Sequence, residues 1–158
     1  MTRNALILVA AGRGHRAGGE IPKQYQVIAG QPLIAHTLQT LMKLQKFDEI
    51  RVVVSREDSF IDGVLTDLGL DSVTTLGGAT RTESVRAGLD ALVGRGIDHV
   101  YVHDAARPFV TRAVMDGLRA GLSDHMAAAP ALPIADAVKT LDGKSVDRDQ
   151  LRRVQTPQ

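Results

Sequence analysis

The stretch Ala5–Tyr25, ALILVAAGRGHRAGGEIPKQY, places a short apolar run directly before a loop that is rich in glycine and positive charge. The apolar run is too short to cross a bilayer and leads into charged residues, so it predicts a buried first strand. Glycine lets a backbone approach a ligand closely, whereas clustered cations repel one another unless an anion lies among them. The loop therefore predicts a phosphate-binding site directly after the first strand.

The bulk composition limits the classes of protein that this chain can represent. Its 158 residues with 44% hydrophobic content predict a single domain over residues 1–158. A net charge of +1 and an aromatic content of 3% argue against a nucleic-acid partner. The absence of cysteine excludes disulfides and thiolate chemistry and fits a cytoplasmic location. No apolar stretch approaches membrane-spanning length, so we expect no membrane partner.

Apolar runs alternate with helical patterns along most of the chain. The runs ALILVA, IRVVVS, SVTTL and HVYVHD predict strands, and AAAPALPI predicts a weaker fifth strand because of its prolines. The helices are predicted between them, at Pro32–Lys46, Glu57–Leu68, Thr80–Val93 and Thr111–Leu122. The third helix opens with a capping box formed by Thr80 and Glu83. This alternation is typical of an α/β fold with a mainly parallel sheet covered by helices on both faces.

Three segments of chemical character follow predicted strands. They are the glycine loop after the first strand, GGATRTES after the third and HDAARP after the fourth. Sheets of this class bind ligands beyond the carboxyl ends of their strands. The three segments are therefore expected to meet in one site.

Charged side chains in two of these segments would suit a magnesium triphosphate. A glycine-containing run separates Arg16 from Lys23, so the loop can fold back and direct both cations at one chain of phosphates. In HDAARP, Asp104 is a candidate magnesium ligand, and Arg107 is a candidate contact for a second anionic substrate. The alternative is structural, with Asp104 capping a turn and pairing with Arg107.

The pattern changes in the last quarter of the chain. Residues 136–158 begin with two short extended segments around Asp142–Gly143, which predicts a β-hairpin arm. Because a hairpin with uncovered edges needs a partner, we predict that the arm exchanges across a homodimer. A solvated hairpin on a monomer is the alternative. The sequence ends at RRVQTPQ without a closing helix, from which we expect that more of the natural domain follows Gln158.

Four segments together resemble the 2-C-methyl-D-erythritol 4-phosphate cytidylyltransferases of the non-mevalonate isoprenoid pathway: AAGRGHRAGGEIPKQY, GGATRTESVRAGL, HDAARP and VDRDQLRRVQTPQ. The opening loop is shared by sugar-nucleotide pyrophosphorylases in general, whereas PKQY and HDAARP are more specific. The resemblance implies a Rossmann-like twisted sheet of nucleotidyltransferase type. It also implies a Mg²⁺-dependent transfer of CMP from CTP to 2-C-methyl-D-erythritol 4-phosphate, with release of pyrophosphate.

The resemblance further implies roles for individual residues. Arg16 and Lys23 would act on the CTP phosphates in catalysis, and Asp104 would serve the metal and the sugar phosphate. Arg107 and Arg148 would bind the sugar phosphate, with Arg148 reaching it from the neighbouring subunit of a homodimer. CTP would also lie against a set that contributes mostly backbone: Ala11, Gly12, Gly14, Gly78, Ala79 and Ser84.

The sequence departs from the family pattern at two places. Ala137 stands where the family usually has threonine, and the family's C-terminal part, which supplies a further lysine, does not follow Gln158. The chain could belong to a fusion with the cyclodiphosphate synthase of the same pathway. The alternatives are a ribitol 5-phosphate cytidylyltransferase, which tends to have a bulkier residue where Ala106 stands, and a nucleotide-binding module without turnover.

Overall fold

The structure, a computed structural model, describes residues 2–12, 21–71 and 73–158. In these ranges the strands are β1 (Asn4–Val9), β2 (Val27–Ile28), β3 (Gln31–Pro32), β4 (Glu49–Val54), β5 (Thr74–Leu76), β6 (His99–Asp104), β7 (Ala131–Pro133), β8 (Val138–Lys139), β9 (Ser145–Val146) and β10 (Arg152–Val154). The α-helices are α1 (Leu33–Leu44), α2 (Ile61–Leu68), α3 (Arg81–Asp90) and α4 (Arg112–Leu122). Short 3-10 turns lie at Lys23–Tyr25 and Arg148–Gln150.

The central sheet is parallel and has the order β5-β4-β1-β6. Val9 at the end of β1 pairs with Val53 of β4 and Asp104 of β6, so the carboxyl ends of these strands share one edge. The chain adds β4 and then β5 on one side of β1 and returns to place β6 on the other side. The strand order therefore reverses between β1 and β6, which is where ligands bind in such sheets. The predicted α/β fold is confirmed.

Alternate residues of β1 face two different layers of the core. Leu6 and Leu8 are fully buried in a cluster with residues of α1, α2 and α4. Ile7 faces the opposite layer, where a Cβ added to Gly88 of α3 would lie 2.7 Å from the Ile7 Cγ2 atom. Glycine at this position thus lets α3 pack closely on the sheet. Helices cover both faces, as the sequence predicts.

Two predicted elements have different limits in the structure. Helix α2 begins at Ile61 rather than Glu57, because Asp58 Oδ1 accepts the backbone N–H groups of Phe60 and Ile61 and so caps a later start. The predicted weak fifth strand is reduced to β7, which pairs antiparallel with β10 rather than joining the central sheet. Proline cannot donate to a ladder of backbone hydrogen bonds, which excludes this run from an interior strand.

The hairpin around Asp142–Gly143 is confirmed. Strands β8 and β9 pair antiparallel, and Gly143 adopts φ +85° in the connecting turn. Farther along, Gln158 exchanges two backbone hydrogen bonds with Val102 at the edge of β6. The end of the predicted arm therefore lies against the central sheet of the same chain. Exchange of the arm between two copies stays a prediction. Among the described residues, no helix has both the length and the apolar character needed to cross a membrane.

Candidate active site

A cleft of about 470 Å³ opens at the carboxyl ends of β1 and β6, where the strand order reverses. All three segments that the sequence predicts to converge contribute to it. Its described lining comprises Val9, Ala10, Ala11, Gly12, Lys23, Gln24, Gly78, Ala79, Thr80, Arg81, Ser84, Asp104, Ala105, Ala106 and Arg107. The cleft has a volume typical of small-molecule sites.

Most residues that the sequence analysis singled out lie around this cleft. Those that line it are Ala11, Gly12, Lys23, Gly78, Ala79, Ser84, Asp104 and Arg107. Arg148 does not line it; its Nη1 atom donates to the Ala135 carbonyl oxygen at 2.5 Å within the arm. Arg16 and Gly14 lie outside the described residues. The roles assigned to all these residues stay predictions.

Lys23 is presented by a 3-10 turn that its neighbours anchor. Gln24 is 6% exposed, and its Nε2 atom donates to the carbonyl oxygens of Ala10 at 2.7 Å and Gly12 at 3.2 Å. This side chain therefore joins the returning part of the loop to the end of β1. Sequence reasoning missed Gln24, although its place in PKQY, next to the predicted catalytic lysine, was an available signal.

The loop between β5 and α3 is held by Ser84 from the first turn of the helix. The Ser84 hydroxyl donates to the Thr80 carbonyl oxygen at 2.9 Å and accepts the Gly78 N–H at 3.2 Å. The predicted capping box is present, since Thr80 Oγ1 accepts from the Glu83 N–H and Glu83 Oε2 accepts from the Thr80 N–H. Ser84 is 2% exposed, so its described hydrogen bonds shape the loop that lines the cleft.

Asp104 lies between two arginines at the end of β6. Its Oδ1 atom is 3.1 Å from Arg81 Nη2, and its Oδ2 atom accepts from Arg107 Nε at 2.9 Å. The contact with Arg107 matches the ion pair of the structural alternative for Asp104. Sequence reasoning missed Arg81, which is the first residue of α3 and reaches Asp104 across 23 positions of the chain. Ion pairs this exposed contribute little to stability, so their main effect is on side-chain orientation.

Metal binding has only limited support in the geometry. The described residues contain no group of three or more His, Cys, Asp or Glu side chains gathered as metal ligands. Asp104 is the one carboxylate in the described lining of the cleft. A magnesium ion at this place would therefore need most of its oxygen ligands from phosphates and water.

The side chain of His103, in β6, holds the loop that follows this strand. It is fully buried, and its Nε2 atom lies 2.8 Å from the Arg107 carbonyl oxygen. Because that oxygen can only accept, Nε2 carries the proton and donates. Burial lowers the pKa of His103 below its ordinary value, more than the hydrogen bond to Arg107 raises it, so the ring is neutral near pH 7. His103 therefore orders the turn that carries Arg107.

The charge pattern of the described lining suits a polyanion. Three cationic side chains, those of Lys23, Arg81 and Arg107, face a space that contains one carboxylate, Asp104. Backbone of the glycine-containing loops at Gly12 and Gly78 lines the same space. Such a site can bind phosphates and stabilise charge that develops during phosphoryl or nucleotidyl transfer.

Comparison with known proteins agrees with this chemistry. The sequence model of the family described as "IspD: 2-C-methyl-D-erythritol 4-phosphate cytidylyltransferase" matches residues 4–158. The chain is 48% identical over 159 residues to a protein of Maricaulis maris named bifunctional enzyme IspD/IspF, with 98% of this chain and 42% of that protein covered. It is 42% identical over 159 residues to the 2-C-methyl-D-erythritol 4-phosphate cytidylyltransferase of Cereibacter sphaeroides, with 98% and 71% covered.

Solved structures give the same result. The 2-C-methyl-D-erythritol 4-phosphate cytidylyltransferase of Thermus thermophilus superposes with a TM-score of 0.71 at 31% identity, covering 99% of this chain and 69% of that one. The bifunctional IspDF of Campylobacter jejuni superposes with a TM-score of 0.79 at 27% identity, covering 99% and 40%. The chain spans about two fifths of such bifunctional relatives and about seven tenths of the monofunctional ones. With sequence and fold matched from residue 4 to residue 158, the chain belongs to the 2-C-methyl-D-erythritol 4-phosphate cytidylyltransferase family.

Proposed function

We propose that this chain transfers CMP from CTP to 2-C-methyl-D-erythritol 4-phosphate and releases pyrophosphate, a reaction of isoprenoid precursor biosynthesis. The observation that carries the proposal is the cleft at the β1–β6 edge, whose described lining contains three cationic side chains and one carboxylate. Family membership supplies the identity of the two substrates. We also propose a cytoplasmic location, which the cysteine-free sequence supports.

The reaction depends on electrostatic stabilisation more than on proton transfer. An ionised oxygen of the sugar phosphate attacks the α-phosphorus of CTP and forms a new P–O bond. The bond between the α-phosphorus and the oxygen bridging to the β-phosphorus breaks, and pyrophosphate leaves with that electron pair. Because the nucleophile is already ionised near neutral pH, no general base has to remove a proton. The protein must instead reduce repulsion between two polyanions and stabilise the charge that builds up at phosphorus.

Lys23 is the described residue best suited to the second task. Lys23 lines the cleft, and the hydrogen bonds of the neighbouring Gln24 restrain the backbone from which its side chain extends. On the basis of the sequence alone, Arg16 is proposed to share this role. Arg107 would bind the sugar phosphate, while backbone near Gly12, Gly78 and Ala79, with the loop held by Ser84, would enclose the nucleotide.

The described lining of the cleft would supply only part of the coordination of a magnesium ion. Magnesium in nucleotide sites is commonly held by one or two carboxylates together with substrate phosphates, and Asp104 supplies one carboxylate. Asp104 Oδ1 faces two nitrogens of Arg81, whereas Oδ2 accepts from Arg107 Nε and has a second lone pair that can still serve a cation. When bound, the ion would neutralise phosphate charge. Its presence is part of the proposal.

The binding site for the second substrate, 2-C-methyl-D-erythritol 4-phosphate, is proposed to be completed by the arm of a homodimer partner. Within its own chain Arg148 does not line the described cleft and donates instead to Ala135. Leu132 and Val154, on opposite faces of the β7–β10 pair, are 51% and 52% exposed, so an apolar side chain near the base of the arm is open to contact on each face. Both observations favour contact with a second copy over an isolated hairpin.

Mixing two impaired variants tests this arrangement. Lys23→Ala and Arg148→Ala should each lose most of the activity when tested alone. If Arg148 acts across the interface, mixed dimers contain one site with both residues intact, and part of the activity returns. Demonstrated subunit exchange without any return of activity would contradict the proposed arm exchange.

Pyrophosphate release tests the proposed reaction itself. With CTP and Mg²⁺, we expect release with 2-C-methyl-D-erythritol 4-phosphate and much slower release with ribitol 5-phosphate. Lys23→Ala should lower the rate by about 10² to 10³ while leaving the fold unchanged, because Lys23 itself is exposed and is not part of the core. CTP binding measured by calorimetry without turnover would favour a nucleotide-binding module instead.

A further inference from the structure

A hydrogen bond outside the cleft joins the Lys23 turn to the segment directly before helix α2. Tyr25, the last residue of the turn, donates from its hydroxyl to Asp58 Oδ2 at 2.5 Å. Its ring stacks on Phe60 with centroids 5.1 Å apart, and the side chain is 4% exposed. Neither Tyr25 nor Asp58 lines the cleft, so any effect of this pair on catalysis must pass through another residue.

The Asp58 carboxylate is fixed by the beginning of α2. Its Oδ1 atom accepts the backbone N–H groups of Phe60 at 3.0 Å and Ile61 at 3.1 Å, which leaves Oδ2 directed at Tyr25. A short hydrogen bond to an ionised carboxylate is roughly twice as strong as one between neutral groups. Burial, followed by this hydrogen bond, raises the pKa of Tyr25, so the hydroxyl remains a donor throughout the physiological pH range.

Backbone hydrogen bonds within the turn connect the anchored Tyr25 to Lys23. The Tyr25 N–H donates to the Pro22 carbonyl at 2.8 Å, and the Gln26 N–H donates to the Lys23 carbonyl at 3.2 Å. Gln24 holds the other side of the turn on β1. With Gln24 bonded to the segment that follows β1 and Tyr25 bonded to Asp58 directly before α2, the backbone of Lys23 is held on both sides.

We propose that Tyr25 and Asp58 are positioning residues, which hold Lys23 in the orientation that it needs to contact a transferring phosphate. This inference rests on the proposed function of Lys23. A displacement of about 1 Å in a catalytic group can cost up to about 10²-fold in rate. Tyr25→Phe keeps the ring and removes only the donor, so we expect kcat to fall about tenfold while the KM for CTP changes less than about twofold.

A double-mutant cycle with Lys23→Ala tests whether the effect passes through Lys23. Tyr25→Phe should reduce kcat in the wild-type background and have almost no further effect on the residual activity of Lys23→Ala. An equal fold loss in both backgrounds would overturn the proposal, because Tyr25 would then act independently of Lys23. No loss in the wild-type background would overturn it as well.

A matched variant separates positioning from general destabilisation. Thr111→Ala removes the cap of α4, where Thr111 Oγ1 accepts the Val114 N–H at 3.4 Å. It should lower the thermal midpoint but leave kcat within about twofold of the wild type. A fall in kcat as large as that of Tyr25→Phe would assign both effects to stability and contradict the proposal.

Hydrogen exchange gives a readout that does not depend on turnover. In the ligand-free protein, Tyr25→Phe should increase amide exchange at residue 25 and Gln26, and leave the amides of the other 3-10 turn, Gln150 and Leu151, unchanged. Unchanged exchange at residues 25 and 26 would overturn the anchor. If the wild type transfers no CMP but exchange increases as expected, the proposed function fails while the anchor of the turn stands.

Discussion

Replacing Gly78 with alanine would place a methyl group where the structure has no room for it. A Cβ on Gly78 would lie 2.4 Å from Glu83 Cβ and 2.9 Å from Glu83 Oε2. Because carbon atoms in contact normally stay about 3.5 to 4.0 Å apart, the loop and the start of α3 would have to separate by roughly 1 to 1.5 Å. Glu83 cannot give way alone, since its N–H and its carboxylate both take part in the capping box with Thr80.

The loss in free energy of unfolding can be estimated from these contacts. Overpacking of this kind typically costs about 1 to 3 kcal/mol, and loss of a helix cap costs about 0.5 to 2 kcal/mol. We therefore expect Gly78→Ala to lower the free energy of unfolding by about 2 to 4 kcal/mol, which most domains of this size survive. The Gly78 N–H would also lose its bond to Ser84, so the part of the cleft proposed to bind nucleotide would change shape. CTP affinity should fall by about tenfold or more.

Urea denaturation and calorimetry of CTP binding measure the two effects. The matched control is Gly63→Ala in α2, where an added Cβ meets nothing within 4 Å. This variant should bind CTP normally and be more stable by about 0.4 to 1 kcal/mol, because alanine loses less backbone entropy on folding. Wild-type stability and CTP affinity in Gly78→Ala would refute the packing argument for this loop.

Three further predictions concern the end of β6 and its partners. Because burial lowers the pKa of His103 below its ordinary value of 6.5, the unfolded chain binds more protons, and the free energy of unfolding should decrease as the pH falls through about 6.5. In urea denaturation at about pH 5.5 and 7.5, His103→Gln should remove this part of the pH dependence. Asp104→Asn should move the magnesium titration of turnover to higher concentration, and an unchanged titration would leave Asp104 a structural role only. Arg81→Ala should leave the thermal midpoint nearly unchanged, since its ion pair is exposed, but alter the KM for either substrate in steady-state kinetics.

Local pattern was enough to predict the architecture. The apolar runs of β1, β4 and β6 are bounded by polar turns, and their alternation with amphipathic helices restricts the topology to a parallel α/β sheet. The capping box at Thr80 and the turn at Gly143 were also predictable, because both motifs act over three or four residues. The meeting of three loops followed from the rule that carboxyl ends of parallel strands share an edge.

What the sequence did not reveal depends on contacts between distant residues. Arg81 approaches Asp104 only because β5 and β6 end at the same edge of the sheet, and Tyr25 meets Asp58 across 33 positions. The late start of α2 has the same origin, since Asp58 caps the helix while also serving Tyr25. No periodicity within one segment encodes such pairs, so the supporting residues of the site became visible only in three dimensions.

Direct attack of the sugar phosphate on the α-phosphorus of CTP can be followed by the fate of the phosphate oxygens. The decisive measurement uses 2-C-methyl-D-erythritol 4-phosphate whose phosphate carries oxygen-18, incubated with CTP, Mg²⁺ and the protein, with the products analysed by ³¹P nuclear magnetic resonance. We expect all of the label to stay in the cytidine diphosphate-linked product, with labelled oxygen in the bridge between its two phosphorus atoms, and pyrophosphate to be unlabelled. Label in pyrophosphate, or free CMP in place of the linked product, would contradict it.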